Sequence, residues 1–142
     1  MNYLKNSDHI VDSWVNYAKF YSRLQSSLDY VLQQQYQLSL NEFYFLYYLS
    51  KADNKTLRLT QLPPKVGLSL SAISRMVTRM ESYHNNQIVK KSTYLEDKRS
   101  STVMLTNEGE ELLTLIKVAL NDKLRESLTD GDLEHILKIT ND

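Results

Sequence analysis

The sequence predicts a mainly α chain with one small β-ribbon, an α+β fold in a single domain spanning residues 1–142. Three observations predict it. Apolar residues recur at helical spacing over most of the 142 residues. Two short β-prone runs, 87–94 and 101–105, lie close together late in the chain. Gly67 divides two helical segments so closely that they read as a helix-turn-helix.

Each element follows in order. From Ser7 to about Gln35, residues Ile10, Trp14, Tyr17, Tyr21, Leu24, Leu28, Val31 and Leu32 keep helical spacing with no Pro or Gly between them. A helix of that length runs about 40 Å, too long for a domain this size to cover, so part of its apolar stripe is expected to meet a second chain. Ser39 and Glu42 fit a capping box, with Leu38 and Phe43 as its hydrophobic staple, and open a second helix through about Lys51 with Phe43, Leu46, Tyr47 and Leu49 as its stripe. Residues 57–59 fit a very short strand. Pro64 lies where the next helix would need an N–H, so that helix is expected to be short or to start late, and Gly67 is placed to end it.

Ser69 then caps a helix through Met80. Its apolar residues Ile73, Met76, Val77 and Met80 fall at i, i+3, i+4 and i+7. Ser71, Arg75, Thr78 and Ser82 project from the opposite face, flanked by Ser74 and Arg79, and no carboxylate occurs before Glu81. Two guanidinium groups among short hydroxyls suit base edges and phosphates. The β-prone runs read as an antiparallel hairpin with residues 95–100 as its charged tip. A thin basic ribbon holding Lys98 and Arg99, directly after a helix-turn-helix, is a wing that fits a minor groove. Thr106 caps a long helix with Glu108, Glu110 and Glu111 at the positive end of its dipole and an apolar face that includes Leu112, Leu113, Leu115 and Ile116. Thr129 opens a terminal helix with Leu133, Ile136 and Leu137 expected to face inward.

The total charge is zero, which alone argues against a nucleic-acid partner, but the distribution reverses the argument. Residues 58–99 carry eight basic and three acidic side chains, whereas residues 100–142 carry four and nine. A local basic footprint outweighs the total for phosphate binding. With no cysteine in the chain, disulfides, thiolate metal sites and thiol redox switching are excluded. His9, His84 and His135 lie in different segments, so no catalytic constellation forms and no enzyme is expected. His9 and Asp12 read as a solvated helix start rather than a metal site, and no cofactor or metal is expected. With no membrane-length apolar run and no signal-peptide pattern, the expectation is a cytoplasmic protein without a membrane partner.

Over nearly its whole length the sequence resembles the MarR family of bacterial winged helix-turn-helix transcriptional regulators. Leu68-Ser69 followed by Ala72-Ile73-Ser74-Arg75 resembles the family's recognition helix, Asp97-Lys98-Arg99 its D-x-R wing tip, and Leu105-Thr106-Asn107-Glu108-Gly109 its L-T-x-x-G junction. The resemblance implies a homodimer joined through terminal helices at about 7–35 and 107–140, with a winged helix-turn-helix lobe at about 39–105. It implies a sequence-specific repressor of a pseudo-palindromic double-stranded site, released by a small aromatic or anionic effector bound between lobes and dimer helices. DNA contacts are expected at Ser71, Ser74, Arg75, Thr78, Arg79, Lys98 and Arg99, with Asp97 positioning the wing. Tyr17, Tyr21, Tyr44 and Tyr47 are the candidate effector pocket. The sequence departs from the family in three places: a Gly-free connection at 83–87, Lys91 where Arg is common, and Pro63-Pro64 before the turn. The competing reading is a winged-helix module, or a regulator controlled by a partner protein, without a small-molecule effector.

Overall fold

The computed structural model describes residues 7–94 and 97–141, with side chains at 9–93 and 101–141. The elements run α1 (Ser7–Tyr36), α2 (Leu40–Lys51), β1 (Thr56–Arg58), α3 (Leu62–Val66), α4 (Leu70–Met80), β2 (Val89–Tyr94), β3 (Asp97–Leu105), α5 (Asn107–Ser127) and α6 (Asp130–Thr140). They form two compact units. One is Leu38–Ala119; the other joins Met1–Gln37 to Leu120–Asp142.

Local chemistry places the helix starts. Ser39 and Glu42 form both hydrogen bonds of a capping box at α2, and Thr129 and Asp132 do the same at α6. Hydrogen bonds from Thr129, backbone first and side chain second, hold the Asp132 carboxyl below its ordinary value. Pro occupies the first positions of α3, where no intrahelical N–H is needed, so the Pro63-Pro64 pair shortens the helix without breaking it. Gly67 ends α3 at φ 81°, a left-handed turn that a side chain resists, and Ser69 caps α4 three residues upstream of the Ala72 N–H it accepts.

Leu38–Ala119 encloses a core drawn from every helix in it and from the sheet: Phe45, Leu46, Leu49, Leu62, Ile73, Val77, Met80, Val89, Val103 and Ile116 are buried. In α2 the buried face is Leu40, Glu42, Phe45, Leu46 and Leu49. Phe43 and Tyr47, expected in the stripe, lie at its margin, and Phe45 takes the central place. An almost continuous aromatic and aliphatic run has no clear period, and the face that packs inward is the one carrying Phe45, Leu46 and Leu49, with Glu42 buried beside them.

The sheet has three antiparallel strands in the order β1-β3-β2, with Leu57 opposite Val103 and Lys91 opposite Val103 on the other side. The very short strand expected near residue 57 thus becomes an edge of the wing sheet. β3 begins at Asp97, which pairs with Tyr94 across a register shift after Ser92. The connection is therefore two residues, not the six of 95–100. Charged residues were read as a tip because they are poor strand formers, yet pairing with β2 carries them into the ladder. Residues 95 and 96, and the side chains of Asp97, Lys98 and Arg99, lie outside the described residues.

The Gly-free connection after α4 is a tight turn. Tyr83 and Asn86 exchange backbone hydrogen bonds of 2.9 and 2.8 Å, and His84 and Asn85 between them take φ of 47° and 65°. Left-handed conformation at both central residues is the primed hairpin turn. In a connection without Gly, His84 and Asn85 fill the two left-handed positions. The chain then returns to the body of the unit, where the Ile88 N–H donates to Met80 O at 3.0 Å and Ile88 O accepts from the Thr106 N–H at 3.0 Å. The Thr106 hydroxyl donates to Gln87 O at 2.6 Å and accepts from the Gly109 N–H at 3.0 Å. Gly109 lies so close that a Cβ there collides with the backbone oxygen of Ile88.

In the second unit α1 is continuous, but Ile10, Val11, Trp14, Val15, Tyr17, Phe20 and Tyr21 are exposed while Leu32 is fully buried. Leu120 and Leu128 are buried. Helix α6 buries no residue: Leu133 and Ile136 are half-buried and Leu137 is exposed; in the Leu38–Ala119 unit Leu115, expected on the inner face of α5, is exposed as well. One chain does not supply enough partner surface to cover these helices.

The Gly109 contact has a measurable consequence. Helix propensity alone makes Gly109→Ala stabilising by up to about 1 kcal/mol. Collision with backbone reverses the sign, and a loss of about 3 kcal/mol is expected, the upper range for overpacking against rigid structure. Urea denaturation measures it, and a stabilised variant contradicts the packing.

Candidate nucleic-acid interface

Helix α4 presents a polar face because its apolar residues are consumed by the core. With Ile73, Met76, Val77 and Met80 buried, Ser71, Arg75, Thr78 and Arg79 are exposed and Ser74 is half-buried. No carboxylate occurs from Leu70 to Met80. The five sequence-selected residues of the helix thus share one accessible side. Their chemistry differs. Ser69 and Ser71 hydroxyls lie 3.2 Å apart at the helix start, and the Thr78 hydroxyl donates back to Ser74 O at 3.1 Å, leaving its oxygen as an outward acceptor.

The two arginines are not equivalent. Among the described residues Arg75 has no ion-pair partner, so its guanidinium is available to a ligand. Arg79 instead meets both carboxylate oxygens of Glu42. Sequence reasoning gave Glu42 only a capping role; that its side chain also faces α4 across 37 residues has no local signature. The pair anchors Arg79 to α2 while its side chain stays about half exposed.

Beside α4 the sheet adds a second wall. A cavity of about 360 Å³ is lined by Leu59, Thr60, Leu70, Ser74, Lys91, Thr93 and Ser101. Its polar groups are hydroxyls and one ammonium, a composition that suits a sugar-phosphate backbone. Lys91, Thr93 and Thr60 were not selected as DNA contacts from the sequence, since their proximity to Ser74 depends on sheet register. Glu81 is occupied by the Lys91 backbone N–H at 3.4 Å, and Glu108 by that of Gln87 at 3.1 Å. Glu110 pairs with Lys55. Two of the three glutamates read as complements of the α5 dipole thus bind specific partners as well.

The four tyrosines fall into two groups in different units. Tyr17 stacks on Trp14 at 6.1 Å, and the Tyr21 hydroxyl accepts from Gln25 at 3.1 Å. On α2, Tyr44 packs against Phe43 at 5.6 Å, and Tyr47 against Phe43 and Tyr48 at 5.9 and 5.6 Å. Lys51 and Lys117 place their ammonium groups 5.6 and 5.5 Å from the Tyr47 ring centre, within cation–π range. Among the described residues no group of three or more acidic or histidine side chains is arranged to hold a metal, and no helix is long and apolar enough to cross a membrane.

Comparison with known proteins accords with this geometry. The family model described as transcriptional regulator SarA/Rot matches residues 27–116. Among solved structures, the MarR-family regulator Sco3205 of Streptomyces coelicolor, determined in complex with DNA, is 25% identical, with a TM-score of 0.73 over 94% of this chain and 86% of its own. AbsC, a MarR-family regulator of the same organism, is 23% identical with a TM-score of 0.72, covering 99% and 94%. The regulator BldR of Sulfolobus solfataricus is 22% identical with a TM-score of 0.76, covering 99% and 96%. No curated protein matches the chain. The α4 unit, its wing and the long terminal helices are thus a winged helix-turn-helix of the MarR type.

Proposed function

The chain belongs to the SarA/Rot family of transcriptional regulators, and from that premise we propose a homodimeric repressor that reads a pseudo-palindromic operator with α4 and is released by a small aromatic or anionic effector. Family membership makes the chain a transcription factor and not an enzyme. The observation that carries the reading is the exposed face of α4, where Arg75 has no carboxylate competitor on its own helix. Arg75 is assigned to a base edge, for which its fork is suited, with Ser71, Ser74 and Thr78 contacting bases or phosphates around it. Lys98 and Arg99 are assigned to the backbone or minor groove, with Asp97 positioning the wing. The Sco3205 complex supports DNA as the partner by analogy.

The dimer is supported by the apolar surface of α1, where Val11 and Trp14 are 61% and 66% exposed. Such apolar area along one helix is matched by a second copy of that helix. Sedimentation at micromolar concentration is expected to give one dimeric species, and a folded monomer there contradicts the two-lobed model.

DNA reading is tested by two variants that differ in kind. Arg75→Ala is expected to cost about 1 to 3 kcal/mol on the operator and to relax base preference, while Lys98→Ala weakens all duplexes alike and lowers the salt slope by about one. Equal loss of preference in both variants contradicts the assignment.

The effector is assigned to the tyrosines of α2, where Lys51 and Lys117 beside Tyr47 supply cations for an aromatic acid. Differential affinity of about 1 to 3 kcal/mol changes operator binding by roughly 5- to 150-fold. Titration of aromatic acids into the operator complex is expected to release DNA, less effectively for Tyr47→Ala and Lys117→Ala. Release by a partner protein, and by no aromatic acid, replaces this reading with control by protein contact.

A further inference from the structure

We propose that Glu42 is a positioning residue for base reading: through Arg79 it fixes the rotation of α4 about its own axis. The inference rests on the assignment of α4 as the DNA-reading helix and adds a residue of another helix to that task.

Apolar burial does not fix a helix's rotation closely. Two of the four buried residues of α4 are methionines, Met76 and Met80, whose flexible side chains accept several arrangements. The Ile88 N–H on Met80 O ties the end of α4, and the Glu42 pair adds a directional tie on its flank. The Glu42 side chain is 5% exposed, against 49% for Arg79. It is held from behind, since Oε1 accepts from the Ser39 N–H at 2.9 Å while the Glu42 N–H donates to Ser39 Oγ at 3.1 Å. The carboxylate is therefore a fixed point and the arginine is the mobile partner. Arg79 lies one turn beyond Arg75, about 6 Å along the axis and on the same side. A rotation of about ten degrees moves a tip about 6 Å from the axis by roughly 1 Å. That exceeds the window of about 2.7 to 3.2 Å in which a base contact is made. Contacts to phosphates tolerate such a shift because they carry no register with the bases.

Electrostatics alone makes the opposite prediction. Removing the Glu42 charge takes one negative charge from beside α4, which strengthens binding to any DNA. A positioning role lowers affinity for the operator while binding to other DNA holds or rises.

The test uses the full chain and two duplexes, one selected by the wild type from a random pool and one of scrambled sequence. Glu42→Gln and Arg79→Gln are each expected to lower the ratio of operator to scrambled affinity about tenfold; scrambled affinity holds or rises for Glu42→Gln, and falls for Arg79→Gln by less than operator affinity does, since that variant removes a positive charge. The double variant falls no further than the worse single variant, because both act through one contact. Arg79→Lys, which keeps the charge but replaces the planar guanidinium with a compact ammonium on a different stem, also loses discrimination. It sits at a half-exposed position and carries the test where Glu42→Gln does not fold cooperatively. Ratios within twofold of wild type, full discrimination by Arg79→Lys, or losses that multiply in the double variant overturn the proposal. A wild type that discriminates among no duplexes overturns the DNA-reading assignment itself, and the two failures are thereby distinguished.

Discussion

Ile88 is the constraint on which the rest of the DNA-facing unit depends. Its N–H closes the end of α4 through Met80 O, and its carbonyl receives the N–H that begins α5 at Thr106. Its side chain is 2% exposed. The recognition helix, the wing and the long helix behind them are therefore tied at one backbone residue. Two further features serve that node: Gly109 has no side chain where the Ile88 oxygen passes, and the Thr106 hydroxyl holds the neighbouring Gln87 carbonyl. The L-T-x-x-G pattern thus has a physical meaning, with Thr closing the junction and Gly leaving room for it. The longer connection at 83–87 is accommodated for the same reason: its primed turn loops out and hands the chain back at Ile88.

A neutral chain carries a local basic excess by segregation, with eight basic and three acidic side chains in residues 58–99. Glu42, Glu81, Glu108 and Glu110 each bind a partner in the unit that carries α4. None of them lies on α4 itself, and Arg75 has no ion-pair partner among the described residues. Net charge therefore understates the potential along α4. The Glu42 pair distinguishes Arg79 from Arg75, two residues of one type on one helix face.

Much of the fold was legible because its signals are local. The caps at Ser39, Ser69 and Thr129, the left-handed Gly67 and the buried spacing of α4 each depend on a few adjacent residues, and each formed as the sequence indicates. The features that were missed depend on distant partners. The extent of β3 is set by pairing with β2, against the composition of its charged start. The inner face of α2 includes Glu42, which meets Arg79 from a distant helix, whereas a carboxylate is read outward by default. Leu115 and Leu137 look like core residues because they are apolar, and no local rule says that one chain leaves them exposed. Of the residues of the candidate interface, those on α4 were recoverable from periodicity; the neighbouring Lys91 and Thr93 needed the sheet register.

The central claim, that paired α4 helices read DNA, is tested most directly by sequencing the duplexes that the full chain retains from a random pool. Two inverted half-sites with centres about one helical turn apart, roughly 34 Å, are the predicted result. Retention without any enriched sequence, or enrichment of a single unrepeated half-site, contradicts it.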